Sequence, residues 1–258
     1  MNNTREVSKE EDKGLRAGTL NALDVLRARR ERIASQMITH LATNEEFSEM
    51  TKRGFEPYRR LMTYYKCAMM EVETKFRVLD AEYRLQHDRN PIESIKTRLK
   101  SSESLSKKLA RKGLPATMKA IEENINDVAG VRVICTFPKD LYTLADAILA
   151  QDDVTLIEER DYVANPKPSG YRSLHLIIET PIFLESEKRL MKVEIQLRTI
   201  SMNFWASLEH QLRYKKNLSE ADAAAVGAEL AELAENAADL DVRMQALRNF
   251  LEQTEDAD

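Results

Sequence analysis

Gly130-Val131-Arg132-Val133-Ile134-Cys135-Thr136-Phe137 (GVRVICTF) marks the point where the periodicity of the chain changes. Its β-branched residues predict a strand. Upstream the pattern is helical. Between Leu20 and about Gln86, apolar residues recur at three- and four-residue steps, first Leu20 to Leu41, then Met62, Tyr65, Met69, Val72, Phe76 and Leu79. Pro57 stands near the start of the second run. Pro91 is expected to open a third helix, Ile92 to Lys112, stopped by Gly113. Met118 to Asn124 reads as a short helix. Downstream, Leu141 to Gln151 returns to helix, and Val154 to Asp161, Tyr171 to Phe183 and Arg189 to Thr199 read as strands. Helix returns from Ile200 to Lys216. An Ala- and Leu-rich helical stretch fills Asp222 to Gln253, with a break expected near Ala237 or Asp239. The fold class is α+β: a mixed sheet of about five strands flanked by helices.

Four segments follow: a flexible leader over 1–19, helices over 20–90, a core over 91–217 and a helical extension over 218–258. The 258 residues include 39 Lys and Arg against 43 Asp and Glu, a net charge of −4. With 43% hydrophobic residues a real core forms, and only 7 Gly and 7 Pro argue against a loop-rich or all-β chain. No apolar run reaches the roughly 20 residues of a membrane span. No secretory h-region follows the N-terminus. Two distant cysteines, Cys67 and Cys135, suit reduced thiols in a cytoplasmic protein.

Charge is segregated. Lys96 to Lys112 holds seven basic residues and one acidic, and Ser219 to Asp258 holds eleven acidic and two basic. On the expected third helix, Lys100, Ser104, Lys108 and Arg111 fall on one face. Such a line suits a polyphosphate, although an ordinary solvated basic helix has the same pattern. Arg98 offers a planar guanidinium for stacking on a base. Asp127, just before the GVRV strand, has the chemistry of a magnesium ligand or of a simple turn cap. Glu194, Gln196 and Arg198 alternate along one strand face, opposite Val193, Ile195 and Leu197. Burying that polar face is costly without a ligand or partners. Tyr171, Ser173 and His175 alternate in the same way after a turn that contains Lys167. Trp205 is expected in the core. Walker A, dinucleotide, HExxH, CxxC and GxSxG patterns are absent.

Three runs, DVAGVRV (127–133), DYVANPKPSGYRSLH (161–175) and EIQLRTISMNFWASLEHQLRYKK (194–216), resemble the synthetase domain of the RelA/SpoT family in its motif order. The likeness covers about Ile92 to Lys216. The short helical ends resemble the small alarmone synthetases of the RelQ/RelP type. The resemblance implies a nucleotidyltransferase-like fold. It also implies transfer of pyrophosphate from ATP to the ribose 3′-hydroxyl of GDP or GTP, releasing AMP, with Mg²⁺ as cofactor. By motif, Arg98 and Arg132 match the residues that sandwich adenine. Lys100, Ser104, Lys108 and Arg111 match those around the ATP phosphates. Asp127 matches the metal ligand, with Glu194 near the metal and a candidate general base. Tyr171 matches the ring stacked on guanine, and Lys167, His175, Gln196 and Asn203 match other acceptor contacts. The family pattern further implies a homotetramer built through terminal helices, with regulation by alarmone or single-stranded RNA in some members. His87-Asp88 is a lone pair without the further ligands of the family's hydrolase domain, so no hydrolase activity is expected. The alternative is a non-catalytic nucleotide- or RNA-binding regulator using the same pocket.

Overall fold

The computed structural model describes residues 49, 51–87, 90–214 and 219–255. The expected leader and the first helix, Leu20 to Leu41, lie outside them, as does Asp88. Two compact units partition the chain: Met1–Phe55 with Ser102–Ala120, and Glu56–Ser101 with Ile121–Asp258.

In the second unit, α1 (Glu56–His87) starts with Pro57 at its second position, where a missing N–H costs nothing. Leu61, Tyr65, Ala68, Val72, Phe76 and Leu79 form its buried stripe, spaced by three or four residues. The helix lies against four strands of a five-stranded sheet: β1 (Ile92–Leu99), β2 (Ala129–Cys135), β4 (Leu174–Phe183) and β5 (Lys188–Thr199). β3 (Thr155–Asp161) completes the sheet, in the order β1-β2-β5-β4-β3. β2 and β5 run parallel and the other neighbours antiparallel, so the sheet is mixed as expected. Its buried apolar side chains include Val131, Val133, Leu174, Leu176, Ile178, Val193, Ile195 and Leu197. Removing each from water contributes about 1.5–3 kcal/mol.

The region before β2 overturns an expectation. Ile92 to Leu99 is the edge strand β1 and not the first half of a helix. The helix that follows, α2 (Ser102–Arg111), belongs to the first unit. From Ile95 to Leu99 apolar or β-branched residues alternate with Lys96 and Arg98, and pairing with the β-branched β2 supplies backbone partners that a helix would have found locally. Gly113 does stop α2. Its φ of +69° admits a Schellman closure, with Leu114 N–H donating to Leu109 C=O at 3.0 Å and Gly113 N–H to Ala110 C=O at 3.0 Å. The short α3 (Met118–Asn124) begins at Thr117, whose Oγ1 accepts from Ala120 N–H at 3.1 Å.

α4 (Pro138–Leu149) follows β2, and α5 (Ile200–Tyr214) continues directly from β5. α6 (Glu220–Glu255) runs unbroken through Ala237 and Asp239. Polar anchors fix it to the sheet unit. Asp241, nine-tenths buried, accepts from Thr199 Oγ1 at 2.6 Å and Ser201 Oγ at 2.5 Å. Trp205 Nε1 donates to Leu230 C=O at 2.8 Å from a buried cluster with Ala234, so the tryptophan packs in the core. Arg248 Nη1 lies 3.1 Å from Asp140 Oδ1 at the start of α4, and Asp140 is fully buried.

That last pair generates a stability prediction. Arg248→Met keeps the bulk but removes the cation paired with the buried Asp140, and breaking a buried pair from one side costs about 3–5 kcal/mol. Urea denaturation is expected to show that loss as a lowered midpoint, and an unchanged midpoint would show the pair to be dispensable.

Candidate active site

Directly paired residues of a pleated sheet project to the same side. One row of pairings runs Lys96, Arg132, Gln196 and His175 across β1, β2, β5 and β4. The row two residues away runs Arg98, Gly130 and Glu194. Strand register therefore gathers three cations, a carboxylate, an amide and an imidazole on one face. Gly130 contributes no side chain to the second row, which leaves the floor open between Arg98 and Glu194.

A cavity of about 410 Å³ opens on this face. It is lined by Lys96, Arg98, Lys100, Asp127, Arg132, Glu194 and Gln196, together with Thr97, Gly130 and Val131. Lys100 sits just beyond the end of β1, and its N–H donates to Val128 C=O at 2.8 Å. That fixes the backbone so that Lys100 Nζ reaches Asp127 Oδ2 at 2.5 Å. Lys100 is thus a strand-end residue and does not share a helix face with Ser104, Lys108 and Arg111, as the sequence suggested. Those three occupy α2, where Leu105 and Leu109 are the buried apolar positions, as expected.

The polar groups of the face form a connected network. Arg132 Nε and Nη2 donate to Gln196 Oε1 at 3.3 and 3.2 Å. Gln196 Nε2 donates to Glu194 Oε2 at 2.8 Å. Arg198 Nη2 donates to Gln196 Oε1 at 3.2 Å and to Tyr171 Oη at 2.6 Å. Tyr171 Oη meets His175 Nε2 at 2.9 Å, and His175 Nδ1 lies 3.5 Å from Glu194 Oε1. Lys167 Nζ sits 4.8 Å from the centroid of the Tyr171 ring and 4.4 Å from that of Tyr162. Tyr162 packs edge-on to both Tyr171 and His175.

Burial pushes the Glu194 carboxyl upward, but the His175 contact and the Gln196 amide outweigh it, and the group titrates below its ordinary 4.5. For Arg132, burial and then the nearby Arg198 charge lower the pKa. Crowded guanidinium groups disfavour one another's charge, and a polyanion bound among them relieves that cost.

Tyr171 is positioned by its neighbour. Gly170 adopts φ +86°, and a Cβ there would stand 2.4 Å from Ala234 Cβ on α6. Arg172 then ties the loop to α6, with Nη2 donating to both Glu235 carboxylate oxygens at 2.9 and 3.0 Å.

Of the residues singled out from sequence, Arg98, Lys100, Asp127, Arg132, Glu194 and Gln196 share the cavity, and Tyr171 and His175 join through the network. Lys167 is linked by its ring contacts. Asn203 stands in the first turn of α5 with Oδ1 buried and lacking a hydrogen-bond partner, and its side chain does not join the network of the others. Sequence reasoning assigned no role to Lys96, Tyr162 or Arg198. Period-two spacing with Arg98 would have found Lys96 had β1 been read as a strand. Arg198 was seen on the Glu194 face but given no task.

Two carboxylates in one cavity fit a magnesium ion by donor chemistry. Mg²⁺ takes one or two carboxylates and completes its shell with water and phosphate oxygens. Among the described residues no cluster of three or more His, Cys, Asp or Glu supplies a full protein cage.

The family model for the region found in RelA / SpoT proteins matches residues 97–219. The chain is 46% identical to the GTP pyrophosphokinase YwaC of Bacillus subtilis over 166 residues, 64% of this chain and 79% of that protein. It is 35% identical to the GTP pyrophosphokinase YjbM of the same organism over 202 residues, 78% of this chain and 92% of that one. The structure of small alarmone synthetase 1 from Bacillus subtilis bound to its product pppGpp superposes with a TM-score of 0.68 at 34% identity, covering 76% of this chain and 98% of that one. The same synthetase bound to AMPCPP gives 0.64 at 31% identity, over 76% and 98%. With the fold, the motif order and the relatives in agreement, the chain belongs to the RelA/SpoT family, among its small alarmone synthetases.

Proposed function

We propose that this chain is a (p)ppGpp synthetase. It transfers the β,γ-pyrophosphate of ATP to the ribose 3′-hydroxyl of GDP or GTP and releases AMP. The observation that carries the reading is one cavity holding Asp127 and Glu194 beside Arg98, Lys100 and Arg132, in a chain whose relatives are named GTP pyrophosphokinases.

The 3′-oxygen attacks the β-phosphorus, the bond from that phosphorus to the α–β bridging oxygen breaks, and AMP departs with that oxygen. Such transfer needs in-line placement and charge neutralisation more than covalent help. Arg98 and Arg132 take the adenine between their guanidinium planes. Lys100, released from Asp127, turns to phosphate oxygens. Ser104, Lys108 and Arg111 are proposed as further phosphate ligands on the pattern of α2 alone. Tyr171 stacks on the guanine, with Lys167, His175, Gln196 and Asn203 at the acceptor end. Glu194, ionised at neutral pH, accepts the 3′-hydroxyl proton. Asp127 and Glu194 would hold magnesium, which when bound neutralises charge developing on the phosphates. The reading extends to a homotetramer built through terminal helices, with α6 offered for that role, to control by alarmone or single-stranded RNA, and to a cytoplasmic location. Supporting the last, no helix among the described residues is long and apolar enough to cross a membrane. For α6, the support is its exposed Leu240, Leu247, Phe250 and Leu251.

Three outcomes are expected. Purified protein with ATP, GDP and Mg²⁺ yields AMP and ppGpp on anion exchange, and absence of product over a range of concentration and pH would refute the reading. Glu194→Gln lowers kcat by about 10²- to 10⁴-fold while nucleotide binding persists. Tyr171→Ala weakens acceptor binding by about 1–3 kcal/mol by calorimetry. The pH behaviour follows from the direction of the Glu194 shift. A carboxyl depressed in the fold stabilises it fully above about 4.5, and that contribution is lost as pH falls through the lower folded value. The Glu194 carboxyl ¹³C resonance, identified by its loss in Glu194→Gln, is expected to titrate below 4.5.

A further inference from the structure

Glu194, Gln196, Arg198, Tyr171 and His175 close a ring of polar contacts. Hydrogen-bond bookkeeping gives the ring a direction. Arg198 is only 5% exposed and has no acceptor capacity, so Tyr171 Oη must accept from its Nη2. The Tyr171 hydroxyl hydrogen then needs an acceptor of its own, and the partner in reach is His175 Nε2 at 2.9 Å. An Nε2 that accepts carries no proton. In a neutral imidazole the proton is then on Nδ1, the nitrogen that faces Glu194 Oε1. The 3.5 Å separation is about half an ångström beyond the usual N–H···O distance, as is common for such contacts before substrate binds. Tyr162, edge-on to the imidazole at 5.4 Å, and burial to 9% exposure restrict the ring's rotation.

The geometry points to a positioning relay: Arg198, through the Tyr171 hydroxyl, fixes His175 in its Nδ1–H tautomer, which orients the Glu194 carboxylate. The proposal rests on the synthetase reading and deepens it. Both His175 nitrogens are engaged within the protein, so His175 acts through Glu194 rather than as an N–H ligand of the acceptor. Tyr171 then has two separable duties. Its ring stacks on the acceptor base, and its hydroxyl sets the geometry of the proton acceptor. Arg198 makes no ion pair with a carboxylate among the described residues, and its Nε is buried without a hydrogen-bond partner. A buried cation kept at such cost is accounted for by the acceptor atoms it organises, Gln196 Oε1 and Tyr171 Oη.

The test separates tautomer from turnover. Histidine-¹⁵N-labelled full-length protein is observed by solid-state NMR at mildly alkaline pH, and His175→Asn identifies the His175 signals among the four histidines. A protonated Nδ1 with a bare Nε2 is expected, and an Nε2–H tautomer or an imidazolium overturns the relay. Tyr171→Phe keeps the stacking ring and removes the hydroxyl. It is expected to mix the His175 tautomers and to lower kcat on the order of 10- to 100-fold, as loss of an outer-shell partner does, with the acceptor KM little changed. A raised acceptor KM with unchanged kcat would make the hydroxyl a mere substrate contact and overturn the proposal. Should the wild-type protein form no alarmone, the synthetase reading fails, while the imidazole signals still decide the tautomer.

Discussion

Everything at the site depends on the parallel pairing of β2 with β5. Gly130 faces Glu194 and Arg132 faces Gln196 across 64 residues of sequence. A parallel pair needs a long crossover, and here α4, β3 and β4 all lie between the two strands. The return on that long connection is register. Once Val131 and Val133 are buried beside Ile195 and Leu197, a slip of one residue would turn every charged side chain into the core. The apolar side of the two central strands thus dictates where the polar side stands.

That polar side is assembled at a cost. Arg132 and the buried Arg198 share a face with the exposed Arg98, and both neighbours lower the Arg132 pKa. Two carboxylates offset part of this, Asp127 on Lys100 and Glu194 through Gln196 and His175. The remaining positive field is what a triphosphate would neutralise. The helical extension belongs to the same economy of positions. α6 holds Gly170 and Arg172 in place, and these bracket Tyr171, so a helix remote in sequence helps set where the Tyr171 ring stands.

Sequence carried the central strands because GVRVIC and VEIQL alternate or run apolar, and no other element packs such residues so well. The motif residues on them were legible for the same reason. β1 was not legible. IESIKTRL is an edge strand with three charged residues in eight, and an edge needs no continuous apolar face. Pro91 before it and Gly113 after α2 framed a plausible single helix. Taken as helix, this stretch gives Lys96 no role and aligns Lys100 with Ser104 on a helix it does not enter. Arg198 illustrates a different gap. Its position on the Glu194 face was evident from period two, but its partners, Tyr171 and Gln196, depend on β4–β5 register, which no single strand reveals.

The misplacement of Lys100 changes the chemistry more than the inventory of charges. As a helix residue it would be one cation in a line. At the end of β1 its ammonium is held 2.5 Å from the Asp127 carboxylate. A divalent ion bound at Asp127 would compete with Lys100 for this carboxylate, and the displaced ammonium would remain within a side chain's reach of the cavity it lines. Under the synthetase reading, release of Lys100 and loading of Asp127 would be one exchange: the cation now paired with the carboxylate would become available to phosphate once the carboxylate held a metal. A site built this way avoids an unpaired buried charge in either state, which is the condition a half-buried polar sheet face has to meet.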